Sequence, residues 1–184
     1  METERLILRK FLPADLEAVF EIFSDKEVNR FLPWFPLETL EQAEEFYASR
    51  LTGTAEPVFA VCLKTDNIPI GYIHGGTPDN YDFGYALKKG YWHMGIATEA
   101  GKALIGYMKS AGVPFITATH DIRNPRSGAV MKKLGMSYCY SYREQWQPKN
   151  LPVIFRMYQL DLNGSNPVYL GYAEKHKNSF IEKI

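Results

Sequence analysis

The stretch of residues 88–106, KKGYWHMGIATEAGKALIG, constrains the fold more than any other part of this chain. Apolar residues recur there every three or four positions, which predicts one buried face of an amphipathic helix. Those residues are Ile96, Ala100, Ala103, Leu104, Tyr107 and Ala111. Glu99 in the first turn and Lys109 in the last turn suit the helix dipole. Gly112 and Pro114 then predict the end of the helix.

The start of this helix is a candidate anion site. The first backbone N–H groups of a helix have no carbonyl partner, so they can bind an anion. Gly95 and Ala97 carry no large side chain that would keep a phosphate away from these amides. Taken alone, the pattern fits either a phosphate-binding turn or an ordinary amphipathic helix after a tight turn.

The segments on either side of the helix predict a βαβ unit. Residues 81–87 form a strand pattern that leads into the glycine turn, and residues 115–120 form the strand pattern after the helix. Such a crossover makes its two strands parallel. Ligands of open α/β sheets bind where parallel strands end or diverge.

The rest of the chain predicts further strands and helices of one domain. Strands are expected at 5–9, 58–63, 70–75, 136–146 and 152–162, and helices at 13–23, 25–31 and 39–51. Residues 32–37, LPWFPL, contain two prolines that exclude a regular helix. This aromatic loop is either a lid over a pocket or a plug in the core.

Composition excludes several classes of protein. The 184 residues carry a formal net charge of zero, which argues against nucleic acid as the main partner. No apolar run is long enough to span a membrane, and the charged N-terminus is unlike a signal peptide. Cys62 and Cys139 stand alone, without a metal-binding or disulfide pattern. We therefore expect a cytoplasmic protein without a metal site.

A second motif lies about thirty residues after the first. Residues 124–136 read NPRSGAVMKKLGM. Asn124 is placed to cap a short helix, Pro125 to occupy its first position and Gly135 to end it. The bland interpretation is simple helix capping, but the two motifs occur together and in order.

Both motifs resemble those of the GNAT N-acetyltransferase superfamily. Residues 92–97 are similar to its pyrophosphate-binding pattern Q/R-x-x-G-x-G/A, with Trp92 in place of Gln or Arg. The preceding Tyr-Trp pair and the ATEA sequence of residues 97–100 resemble the branch of ribosomal-protein N-terminal acetyltransferases. Residues 124–136 are similar to the pattern N-x-x-S-x-x-v-x-x-K-x-G-F, with Met136 for Phe.

The resemblance implies an α/β (α+β) fold with one GNAT-like domain at residues 1–162. Its sheet would be mixed, mostly antiparallel and twisted, with a central pair of splayed parallel strands flanked by helices. The splay leaves a slot for the pantetheine arm of acetyl-CoA. Residues 163–184 would be a C-terminal extension, for which a terminal helix, a dimer contact and a frayed end all remain open.

The resemblance also implies acetyl-CoA as co-substrate. Backbone amides in the glycine turn would bind its pyrophosphate, strand backbone would pair with pantetheine, and Asn124 would fix the arm. The predicted acetyl-CoA contacts are Tyr85, Ala86, Leu87, Met94, Gly95, Ile96, Ala97, Thr98, Asn124 and Ser127.

The predicted chemistry is attack of an amine on the thioester, without an acetyl-enzyme. Ser127, in the first turn of its helix, is the candidate proton donor to the thiolate, unless it only hydrogen-bonds the cofactor. Glu144 and His120 are the candidate general bases, and a chain of waters is the third possibility.

The acceptor is expected against the aromatic loop and the C-terminal hairpin, at Trp34, Phe35, Tyr142 and Trp146. This lining suits a peptide N-terminus or another primary amine, with polyamines and antibiotics as alternatives. A non-catalytic acyl-CoA-binding module and a purely structural protein are the rival functions. The protein is expected to be a monomer or homodimer that binds neither nucleic acid nor membrane.

Overall fold

The computed structural model describes residues 1–184 and contains two four-stranded sheets. In the first sheet, β1 (Leu6–Arg9), β2 (Val58–Leu63), β3 (Pro69–His74) and β4 (Gly84–Leu87) lie in that order and are all antiparallel. In the second, the order is β5 (Phe115–Asp121), β7 (Leu151–Asp161), β6 (Ser137–Trp146) and β8 (Ser179–Phe180). All neighbours in this sheet are antiparallel as well.

The two sheets are joined by one parallel bridge, between Asp82 and Thr117. The Phe83 N–H donates to the Thr117 carbonyl at 2.7 Å, and the Thr117 N–H donates to the Tyr81 carbonyl at 3.3 Å. Beyond this point β4 pairs only with β3, and β5 only with β7. The predicted parallel, splayed pair is therefore confirmed, although β4 is shorter than the expected 81–87.

Six α-helices connect and cover the strands. They are α1 (Leu16–Ser24), α2 (Lys26–Asn29), α3 (Leu40–Phe46), α4 (Ile96–Ser110), α5 (Pro125–Lys133) and α6 (Gly171–His176). The helix predicted at 39–51 is divided, because α3 gives way to a π-helical turn at Tyr47–Thr52. The longest helix is α4, and none of the six has both the length and the apolar character of a membrane span.

The helices leave the sheets with two distinct faces. The face covered by α4 and α5, here called the α4 face, contains the largest core cluster, which includes Leu104, Met131 and Tyr158. The opposite face, here called the α1 face, is covered by α1, α2 and α3 on the first sheet. On the second sheet the α1 face carries Tyr142 and Phe155, against which the C-terminal segment packs.

The proline-held loop at residues 32–37 inserts one aromatic ring into the core. The Trp34 ring lies 5.8 Å from Phe23, 5.0 Å from Phe46 and 6.2 Å from Tyr72 between centroids. The Phe35 side chain is 60% exposed. Of the two alternatives for this loop, plug and lid, the structure shows a plug at Trp34, while Phe35 remains free to contact a ligand.

The C-terminal segment is folded onto the second sheet. Helix α6 places Tyr172 parallel to Tyr142, with ring centroids 5.5 Å apart, and β8 pairs with β6 through Ser141 and Phe180. Glu182 accepts a hydrogen bond from Arg156 at 2.7 Å. The terminal-helix alternative is thus present and is followed by a short edge strand. The domain boundary at residue 162 stays a prediction.

The contact between α4 and α5 gives the first testable prediction. A Cβ added at Gly101 would lie 2.8 Å from a Leu134 methyl, whereas one at Gly106 would meet nothing within 4 Å. Overpacking of a filled core costs about 1–3 kcal/mol. We expect Gly101→Val to lower the free energy of unfolding by that amount, measured with urea. Gly106→Val, the same change on the exposed side of the helix, should stay within about 0.5 kcal/mol. Equal losses would contradict the packing described.

Candidate active site

The first turn of α4 presents free backbone amides. The first amide bonded within the helix belongs to Glu99, which donates to the Gly95 carbonyl at 3.0 Å. The preceding amides of Ile96, Ala97 and Thr98 therefore have no helical carbonyl to bond. Gly95 is exposed and left-handed, with φ +77°, which favours glycine on conformational grounds. Gly95 places no side chain between these amides and an approaching anion.

The N-terminal segment immediately before β1 holds this turn in place. Arg5 donates to the Glu99 carboxylate at 2.7 Å and to the Met94 carbonyl at 3.0 Å. Thr3 donates to the same carboxylate at 2.5 Å. Burial opposes ionisation of Glu99, but these hydrogen bonds outweigh it and lower the pKa of the carboxyl. The Glu99 carboxylate is therefore paired with Arg5, so it does not present an unpaired negative charge beside the amides.

Trp92 ties the turn to the end of β4. Its indole Nε1 donates to the Leu87 carbonyl at 2.8 Å. The Arg126 guanidinium lies 5.9 Å from the Trp92 ring, so a cation from α5 reaches the same side of the turn. The tryptophan that replaces the usual Gln or Arg has a structural role here, because it fixes the path from strand to helix.

The diverging strands and α5 bring three predicted contact residues together. Asn124 caps α5 by accepting a hydrogen bond from the Ser127 amide at 3.4 Å. The Ser127 side chain lies close to Tyr85 on β4. Burial raises the pKa of Tyr85, and this contact offsets part of the rise. Ala86 and Leu87 are buried beside Tyr85. The slot between the diverging strands thus has β4 on one side, and the first turn of α5, which follows β5, on the other.

His120 lies beneath α5 on the α4 face. Its Nδ1 is 2.9 Å from the Asp121 carbonyl, and its buried Nε2 has no hydrogen-bond partner. A Cβ at Gly128 would come within 2.6 Å of that Nε2, so the ring fits closely under the helix. Burial lowers the pKa of His120 and keeps the imidazole neutral at neutral pH.

Glu144 lies on the other face of the sheet from His120. It shares the α1 face with Tyr142 and Trp146, and its carboxylate is 3.4 Å from Nε2 of His176. The His176 ring stacks on Tyr142 with centroids 5.0 Å apart. The structure therefore separates the two predicted bases by the thickness of the sheet. It also covers Tyr142 with the C-terminal segment.

Three residues of this region escaped the sequence analysis: Asp82, Tyr172 and His176. The signal for the latter two is their spacing of four residues, which puts both on one side of a helix. Asp82 immediately precedes the buried Phe83, and this alternation places its side chain on the α1 face. The isolated acid before a short strand resembles an ordinary turn residue.

Comparison with known families identifies the fold. The sequence model of the acetyltransferase (GNAT) domain matches residues 5–137, which include both the amide-bearing turn and Asn124. This chain belongs to the GNAT acetyltransferase family. Its predicted α/β architecture is thereby confirmed, and it is an acyltransferase that uses acetyl-CoA as donor.

Individual relatives agree with this assignment. The chain is 34% identical over 139 residues to the uncharacterized N-acetyltransferase YnaD of Bacillus subtilis, covering 73% of this chain and 80% of that protein. A GNAT acetyltransferase from Bacillus anthracis shares 29% identity and a TM-score of 0.78, over 88% of this chain and 97% of that one. Spermidine N-acetyltransferase from Vibrio cholerae, solved with CoA and spermine, has a TM-score of 0.73 at 16% identity. That likeness covers 87% of this chain and 97% of the neighbour.

The amide-bearing turn gives the second testable prediction. Ala97→Asp places a carboxylate among the free amides, where it competes with a bound pyrophosphate, yet an acid in the first turn also suits the helix dipole. We expect CoA affinity, measured by calorimetric titration, to fall at least about tenfold, with no loss of melting temperature. Ala97→Ser is the uncharged control and should bind CoA as the wild type does. Equal affinities of the two variants would contradict the site.

Proposed function

We propose that this protein transfers acetyl directly from acetyl-CoA to a primary amine, with the N-terminal amine of a peptide as the leading acceptor. The observation that carries the proposal is a row of free helix amides beside a slot between two diverging strands. The amides suit the pyrophosphate, and the slot suits an extended arm that ends in a thioester.

Acetyl-CoA would lie along the slot from α4 towards the junction of the two sheets. Amides of Met94 to Thr98 would hold the pyrophosphate, and backbone groups of Tyr85 to Leu87 would pair with pantetheine. Asn124, which already orients the first turn of α5, would contact the arm. The fit is supported by the free amides of α4 and by the unpaired inner edge of β4.

Direct transfer is favoured over an acetyl-enzyme. Holding two reactants in line contributes about 7–11 kcal/mol to lowering a barrier in well-oriented systems. Neither cysteine is suited to carry the acetyl group. Cys62 is fully buried, and burial raises the pKa of its thiol to about 11, while burial also raises the pKa of Cys139.

Ser127 is proposed to deliver the proton to the departing CoA thiolate. Its amide is held at the start of α5, where the helix end favours developing negative charge. The nearby Tyr85 hydroxyl would polarise it further. The alternative role, hydrogen bonding to the cofactor alone, predicts a different kinetic outcome.

The general base is the open part of this mechanism. Glu144 has the advantage of lying on the α1 face, where the acceptor is expected, although His176 contacts its carboxylate. His120 is neutral and has an unpaired Nε2, but that atom faces Gly128 beneath α5. A water chain remains the third alternative.

The acceptor is proposed to approach on the α1 face, past Phe35 and the β6–β7 hairpin. Exposed Phe35 and half-buried Trp146 offer apolar contact, whereas Trp34 and Tyr142 would act from beneath as supports. The likeness of the turn sequence to ribosomal-protein N-terminal acetyltransferases favours a peptide. The fold shared with a spermidine acetyltransferase that was solved with spermine makes a polyamine the second candidate.

An acceptor panel tests the proposal. Release of CoA thiol would be followed with peptides that begin with alanine or serine, their N-acetylated forms, spermidine, spermine and kanamycin. We expect turnover with the free peptides and none with the blocked ones. A preference for spermidine or spermine would replace the peptide by a polyamine. Intact CoA binding without any turnover would favour a non-catalytic acyl-CoA-binding module.

Ser127→Ala separates the two roles of the serine. As proton donor, its loss should lower kcat by about a hundredfold or more while CoA affinity changes little. Ser137→Ala, an exposed serine at the start of β6, serves as the control and should leave both unchanged. An increase in KM for acetyl-CoA with kcat retained would reduce Ser127 to a binding residue.

A further inference from the structure

Asp82 lies half-buried at the junction of the two sheets, and its carboxylate has no cationic partner. Its backbone forms the single bridge to Thr117, and its side chain lies on the α1 face. The Tyr172 hydroxyl of α6 donates to Asp82 Oδ1 at 3.2 Å and accepts a hydrogen bond from Asn80 at 2.9 Å. No lysine, arginine or histidine forms an ion pair with Asp82. Acids that are withdrawn from water are normally paired with a cation, so this one requires another explanation.

The surroundings of Asp82 are aromatic and acidic. Residues of β3, β6, the C-terminal segment and the chain before β2 lie around it, and Tyr172 makes the direct side-chain contact. The titratable ones are Glu56, Tyr72, His74, Tyr142, Tyr169 and Tyr172. Burial lowers the pKa of His74 to about 4, and it raises those of the tyrosines, so these groups are neutral at neutral pH. Glu56 is the other carboxyl group of this region, and its Oε2 lies 3.6 Å from His74 Nδ1.

The ionisation of Asp82 matches the demand on a general base. Burial raises its pKa to about 7, repulsion from Glu56 adds to the rise, and the Tyr172 hydrogen bond opposes it. A base that titrates near the working pH is present in its basic form and still binds a proton well.

Its position matches the expected end of the acetyl-CoA arm. Pantetheine has the backbone length of roughly four residues, so its extended reach is about 14 Å. An arm that enters beside Leu87 and follows β4 towards the junction would bring its thioester to the level of Phe83 and Gly84. Asp82 is the next residue, and its carboxylate is on the face from which the acceptor is proposed to approach.

We propose that Asp82 accepts the proton of the acceptor ammonium and that Tyr172 positions the carboxylate. The step rests on the proposed acetyl transfer. Asp82 removes one proton, and the neutral amine nitrogen attacks the thioester carbon to form the C–N bond. The C–S bond breaks, and the second proton of the nitrogen passes to the thiolate directly or through Ser127. The products are the amide, CoA thiol and protonated Asp82.

This assignment makes the C-terminal segment part of the acceptor site. Tyr172 reaches Asp82 from α6, and the same helix places His176 against Glu144. The Glu144 carboxylate therefore already contacts an imidazole, that of His176, whereas the Asp82 carboxylate contacts only the Tyr172 hydroxyl. The sequence alone offers Glu144, His120 or a water chain as the general base. This assignment instead gives that role to Asp82, a residue of the sheet junction.

The test is the pH dependence of kcat at saturating acetyl-CoA and acceptor, with the fastest amine of the panel above. For wild type, kcat should fall as pH decreases through about 7, because protonated Asp82 cannot act. Asp82→Asn should lose this limb and lower kcat about a hundredfold or more at pH 7.5. Tyr172→Phe keeps the ring stacked on Tyr142 but removes the hydrogen bond that stabilises the carboxylate. Its acid limb should therefore move to higher pH by about half a unit or more.

The same experiment includes controls for correct folding and for Glu144 as the rival general base. CoA affinity should be retained in both Tyr172→Phe and Asp82→Asn, because neither group contacts the amides of α4, and retained binding shows that both variants are folded. Glu144→Gln should keep the acid limb near pH 7. The proposal is overturned if Asp82→Asn keeps both limb and rate, or if the limb disappears in Glu144→Gln instead. Absence of turnover by wild type with intact CoA binding would remove the acetyl-transfer proposal itself, and this one with it.

Discussion

The structure depends on one backbone bridge. Where Asp82 meets Thr117, two antiparallel sheets are joined by parallel strands, and a few residues later those strands have separated. In a continuous sheet, the amides and carbonyls on the inner edges of β4 and β5 would bond to each other. Here they have no such partner, so they are available to a ligand. The same bridge fixes the positions of β4 and α5 relative to each other. The binding slot therefore exists because β4 and β5 separate after the bridge.

The site is held in place by residues distant in sequence. Arg5, immediately before β1, binds both Glu99 and Met94, so the N-terminal segment holds the amides of α4 in place. At the opposite end of the slot, Tyr172 of the C-terminal segment contacts Asp82. Ordering of the amide-bearing turn and of the sheet junction thus requires both termini. This long-range support is what keeps binding groups preorganised before a ligand arrives.

Local sequence chemistry predicted the parts of the site that depend on local rules. Gly95 before an amphipathic helix, and an Asn-Pro cap thirty residues later, specify backbone geometry almost independently of the rest of the chain. The sequence does not distinguish lid from plug for Trp34, because the residues that surround it come from two other helices and a strand. The position of His120 at the end of β5 predicts that it points towards the site, but its alternation with Ile116 and Ala118 puts it on the α4 face. Tyr172 belongs to a six-residue helix, in which its four-residue spacing from His176 is the single sign of a contact face.

The central claim is that acetyl-CoA occupies the gap between β4 and β5 with its pyrophosphate on the first turn of α4. Amide NMR spectra of the 15N-labelled protein, titrated with desulfo-CoA, test it most directly. The account predicts the largest shifts at Gly95 to Thr98 and at Tyr85 to Leu87, since those amides would bond the ligand. Largest shifts confined to α6 and β8, or no binding at all, would contradict the account.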